Sequence, residues 1–73
     1  MTANELERWH LEHLVKQLTE ELRTHRSLTY STDYVEDVEL WRRAARVAGR
    51  RLGIPVRTGV SRDGTKVWAS EGP

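Results

Sequence analysis

Four arginines dominate the chemistry this chain can offer. Arg43, Arg46 and Arg50 are spaced i, i+3, i+7, and Arg42 lies beside the first of them. On a helix that spacing places side chains on one face. A guanidinium is permanently charged and presents its donors as a planar fork, which suits phosphate and the edge of guanine. Arg57, Arg62 and Lys66 follow in the C-terminal segment, with Arg62 next to an Asp63-Gly64 turn signal. A basic helix beside a basic ribbon is a plausible grip on nucleic acid, the helix in the major groove and the ribbon on the backbone or minor groove. The competing expectation is a solvated helix face. In that case the arginines pair with Glu12, Glu20 and Glu21 of the preceding helix, and Glu39 pairs with Arg43 at i, i+4.

Other constellations offer less. His10 and His13 are spaced i, i+3, but His25 is three turns away and no carboxylate or thiol completes a metal-ligand pattern, so no metal is expected. Asp33, Glu36 and Asp37 cluster where acids favour a helix N-terminus. Of the three tryptophans, Trp41 falls on a core stripe. Trp68 either closes the core near Trp9 or faces out with Arg57 and Lys66, where it could stack a base. No nucleophile elbow, phosphate-binding glycine loop or His-Glu-x-x-His is present, so neither an enzyme nor a cofactor is expected.

The elements that must position these residues are short. Seventy-three residues allow one small domain. The chain has no cysteine, so no disulfide or thiolate site helps hold it together. Its 37% hydrophobic content is patterned, which argues against a disordered segment. The first helix is predicted from about residue 3 to about 25. Thr2 and Glu5 have capping-box spacing, and Leu11, Leu14, Val15, Leu18 and Leu22 form an apolar stripe. Leu6, Trp9 and His13 form a second flank. The segment from Ser27 to Thr32 reads as a polar connection.

The second helix is predicted from about 33 to about 52, capped by Asp33, with Tyr34, Val38, Trp41, Ala45, Ala48 and Leu52 facing the core. Gly53 and Pro55 end it. A hairpin is predicted over about 56–70. With a two-residue loop, Val60 faces Val67 and Trp68 faces Gly59. The fold class is therefore α+β: two antiparallel helices followed by a C-terminal β-hairpin.

The formal net charge is only +1. Residues 1–40 carry four basic residues against nine acids, a net −5, while residues 41–73 carry eight against two, a net +6. The total thus hides a strong polarity along the chain. Ten arginines against two lysines fit a GC-rich bacterial or phage genome. No apolar run approaches the ~20 residues that span a bilayer, and the polar start of the chain lacks the pattern of a signal peptide. The expectation is a cytoplasmic regulatory protein that binds nucleic acid, DNA in preference to RNA. It would use Arg42, Arg43, Arg46, Arg50, Arg57, Arg62 and Lys66, and act as a homo-oligomer joined through Leu6, Trp9, Leu40, Val47 and Trp68. The alternative is an adaptor, encoded by a phage or operon, that docks the same apolar flanks on a larger protein and binds no nucleic acid.

Overall fold

A computed structural model describes residues 2–72. Helix α1 spans Ala3–His25, strand β1 Ser27–Ser31, helix α2 Val38–Leu52, strand β2 Val56–Val60 and strand β3 Lys66–Glu71, with a 3-10 turn at Thr32–Tyr34. The class is α+β, as the sequence predicts. The sheet, however, has three antiparallel strands in the order β1-β3-β2.

The capping box of α1 forms as its spacing implies. Thr2 Oγ1 accepts from the Glu5 N–H at 3.2 Å, and Glu5 Oε2 accepts from the Thr2 N–H at 3.3 Å. Arg26 ends the helix in the left-handed conformation, φ 62°, with its N–H on the Leu22 carbonyl at 3.0 Å. That reversal feeds the chain directly into β1.

The polar connection expected at Ser27–Thr32 is therefore a strand. Its sequence Ser-Leu-Thr-Tyr-Ser alternates, and only Leu28 is fully buried, with Tyr30 packed against the same core. A lone hairpin is marginal in water. β1 makes β3 a central strand, bonded on both edges.

The predicted start of α2 is also corrected. Asp33 does not cap it. Ser31 caps the 3-10 turn, accepting from the Asp33 N–H, and Asp37 caps α2, its Oδ1 accepting from the Leu40 N–H at 3.0 Å. The chain must cross from the far edge strand to the helix layer, and the turn with the extended residues after it spans that gap. Tyr34 consequently leaves the core stripe and is 87% exposed. The other end of α2 matches expectation: Gly53 adopts φ 70°, and Ile54 N–H reaches the Gly49 carbonyl at 3.0 Å.

The core lies between the helices and one face of the sheet. Val15, Leu18 and Leu22 of α1 meet Trp41, Ala44, Ala45 and Ala48 of α2 over Leu28, Val67 and Ala69. The alanines and Gly49 keep α2 close to its neighbours. A Cβ added at Gly49 would lie 2.4 Å from Val56 Cγ2.

The hairpin register agrees with the sequence reading: Val60 opposes Val67, and Gly59 opposes Trp68. The connection nevertheless holds four residues between the Ser61–Lys66 pair, closed by Ser61 N–H to Lys66 carbonyl at 2.8 Å and Gly64 N–H to Ser61 carbonyl at 2.9 Å. Two and four residues preserve the same register because the loop lengthens equally on both sides. Gly64 takes φ 76°. The Asp63 carboxylate accepts from Ser61 Oγ and from both the N–H and hydroxyl of Thr65, and these bonds pull it down to about 2.

Candidate nucleic-acid interface

Helical geometry, about 100° per residue, places Arg43, Arg46 and Arg50 within an arc of about 60°. That arc lies opposite the buried side of α2, made of Trp41, Ala44, Ala45, Ala48 and Gly49. All three side chains are exposed. The three ion pairs among the described residues are Arg23–Glu20 at 3.2 Å, Arg26–Glu71 at 3.9 Å and Arg42–Glu39 at 3.0 Å. None joins α1 to α2. The expected neutralisation of the α2 arginines by Glu12, Glu20 and Glu21 is absent among these residues. Glu20 instead bonds Arg23 on its own helix, and Glu21 accepts from the Tyr30 hydroxyl. Geometry explains this. Glu12 and Glu20 are exposed and lie off the buried Val15, Leu18 and Leu22 stripe of α1, while Glu7 lines a small recess with Asp37, Glu39 and Arg43.

Arg42 behaves differently from its neighbours. Its Nε donates to Thr58 Oγ1 at 3.0 Å and its Nη1 to Glu39 at 3.0 Å. Its side chain is only 27% exposed. The i, i+4 pair expected between Glu39 and Arg43 is replaced by this i, i+3 pair. Arg42 thus clamps α2 to β2, while Arg43, Arg46 and Arg50 have no side-chain partner among the described residues. A guanidinium whose donors are unused can bind phosphate without first giving up an internal bond.

The basic residues of the hairpin are not on the same surface. Strand alternation puts Leu28, Tyr30, Val67 and Ala69 under the helices. It puts Ser27, Thr29, Ser31, Arg57, Gly59, Lys66, Trp68 and Ser70 on the opposite face. Arg57 and Lys66 belong to that outer face, and Arg62 is exposed in the turn beyond it. The structure therefore divides the predicted basic set: one group lies on the outer side of α2 and another on the outer side of the sheet and its turn. The Thr58 partner of Arg42 and the hydroxyl row from β1 were not anticipated. The alternating Ser-Leu-Thr-Tyr-Ser was the available signal for that row.

The apolar residues expected at an interface also separate. Val47 is half-buried against the core. Trp68 is half-buried on the outer sheet face, and Leu6 and Trp9 are 45% and 48% exposed near the start of α1. The Trp9 ring sits 4.0 Å from that of His13 and 5.2 Å from that of His10. Beside them opens a cleft of about 720 Å³ between the first turns of α1 and the start of α2. Leu6, His10, Leu14, Tyr34, Leu40 and Trp41 line it, with Glu7, Glu36 and Asp37 among its walls. Trp41 is 1% exposed, and its Nε1–H, a donor by nature, meets no acceptor among the described residues.

The floor of this region is tied down by Tyr30. Its hydroxyl donates to Glu21 Oε2 and accepts from Gln17 Nε2 at 3.1 Å, and its ring lies 5.3 Å from Trp41. Burial first, and then the Glu21 carboxylate, push its phenol up to about 12. Among the described residues no group of three His, Cys, Asp or Glu side chains gathers as metal ligands. No helix there is long and apolar enough to cross a membrane. In comparisons with protein-family models, curated proteins and solved structures, the chain matches none.

Proposed function

We propose that this chain is a small nucleic-acid-binding protein that acts in regulation, without catalysis, on DNA in preference to RNA. Arg43, Arg46 and Arg50 contact phosphates or guanine edges from the outer face of α2. Arg42 serves as the clamp that fixes that helix on β2, and Arg57, Arg62 and Lys66, on the outer side of the sheet and its turn, offer a separate set of phosphate contacts. Two copies associate through Leu6 and Trp9 at the start of α1, because one copy offers few contacts to a duplex. The observation that carries this reading is the set of three aligned arginines that make no ion pair or side-chain hydrogen bond among the described residues. The test is a duplex titration at two salt concentrations. Arg46→Ala with Arg50→Ala should lower affinity and reduce the salt slope by about 2, since each phosphate contact contributes about 0.9. Unchanged affinity and slope would remove α2 from the interface.

A second reading is favoured by the cleft. Exposed Leu6, Trp9 and Tyr34 and acidic walls suit an adaptor that receives a basic segment of a larger protein. On that reading a partner co-purifies and binding to duplex is absent at physiological salt. A retarded band on mixed genomic fragments counts against it.

A further inference from the structure

The outer face of the sheet is uncovered by either helix, and it draws residues from both halves of the chain. It carries no acid. Trp68 sits on the central strand, between Thr29 of β1 and Gly59 of β2. The indole folds down over Gly59, where an added Cβ would lie 2.5 Å from its Cζ2. Only a glycine leaves room for the ring to lie across β2 in this way. That contact covers part of the indole, which is half-buried.

Lys66 lies two residues along β3 from Trp68, and Arg57 two residues along β2 from Gly59, in the opposite direction. The backbone positions of the two basic residues thus lie on either side of the ring's, each about 7 Å away along its strand, and the Arg57 stem lies over Gly72, where an added Cβ would be 3.0 Å from its Cδ. Ser27, Thr29 and Ser70 add hydroxyls, which donate and accept. The Asp63 carboxylate, one hydroxyl away from the Lys66 backbone, is held by Ser61 and Thr65. An aromatic surface between two basic residues has the chemistry of a site for stacked bases and their phosphates.

We propose that this face binds single-stranded DNA, with a base stacked on Trp68 and adjacent phosphates on Lys66 and Arg57. The choice of DNA rests on the reading given above; the site itself is separate from α2. A duplex held by α2 and an unpaired strand held by the sheet would lie on opposite layers of one small molecule.

The test uses the full chain and a fluorescently labelled oligonucleotide of twelve thymidines, followed by anisotropy. The unmodified chain should bind it, with affinity falling as salt rises. Trp68→Leu should weaken binding at least tenfold, and Trp68→Tyr, which retains a stacking ring, should stay within about threefold. Thermal melting of each variant separates lost binding from lost folding, and the tyrosine variant keeps the comparison interpretable if the leucine variant melts early. Lack of binding by the unmodified chain overturns the proposal, as does equal binding by a folded Trp68→Leu variant. Tighter binding to twelve uridines overturns the choice of DNA. Duplex binding that persists through any of these failures leaves the α2 reading standing.

Discussion

The acids of the first half and the bases of the second half are used differently. Glu5 closes the cap of α1, Glu20 holds Arg23, Glu21 receives Tyr30, Asp37 starts α2 and Glu39 holds Arg42. Only Glu7, Glu12, Asp33 and Glu36 have no such task among the described residues. In the second half the proportion reverses. Arg42 is fixed between Glu39 and Thr58, whereas the side chains of Arg43, Arg46, Arg50, Arg51, Arg62 and Lys66 make no internal bond among those residues. A net charge of +1 therefore describes two unlike populations. Much of the negative charge is engaged in building the fold, and most of the positive charge faces outward.

This contrast makes Arg42 the exception worth breaking first. Arg42→Ala removes a charge-assisted bond to Glu39, a bond to Thr58 and the packing of a mostly covered stem. It should cost about 1–3 kcal/mol in denaturant unfolding. Asp37→Ala removes the cap of α2 and should cost about 1 kcal/mol in the same measurement. By contrast, Arg43→Ala and Arg46→Ala should each shift stability by no more than about 0.5 kcal/mol, because neither side chain has a partner to lose. A large loss from either one would show that the outer arginines build the fold after all.

The pH extremes sharpen the same comparison. The Tyr30 phenol is raised from 10.0 to about 12 in the folded chain. Its neutral form is favoured by folding, so its contribution is intact below pH 10 and is lost as pH rises towards 12. Tyr30→Phe should remove that alkaline step from a pH series of thermal melts. Asp63 is lowered from 3.8 to about 2. Its contribution to the turn is present above pH 3.8 and disappears as pH falls towards 2. Being fully exposed, it should give the smallest effect, visible as local broadening of turn resonances rather than as global unfolding.

How much of this was legible depends on how local each signal is. The α1 cap, the glycine end of α2 and the hairpin register follow from residues three or four apart or from strict alternation, and all three are present. β1 was hidden by its hydroxyls. Ser27, Thr29 and Ser31 resemble a loop in composition, although Leu28 and Tyr30 alternate between them as a strand requires. Asp33 has the local signature of a cap, but the long-range pairing of β1 pulls residues 32–34 into a separate turn and leaves the cap of α2 to Asp37. At the candidate site, the alignment of Arg43, Arg46 and Arg50 was readable. The diversion of Arg42 to Thr58 was not, because those residues are 16 apart in sequence and meet only when α2 packs on β2.

The central claim is that the outer face of α2 is a phosphate-binding surface. The most direct measurement is the affinity of the chain for a duplex across a salt series, with and without Arg46→Ala and Arg50→Ala together. The account predicts binding that falls steeply with salt. In the double variant it predicts affinity lower by about thirtyfold at physiological salt and a slope smaller by about 2. A folded double variant that binds as tightly as the unmodified chain, with the same slope, would contradict it.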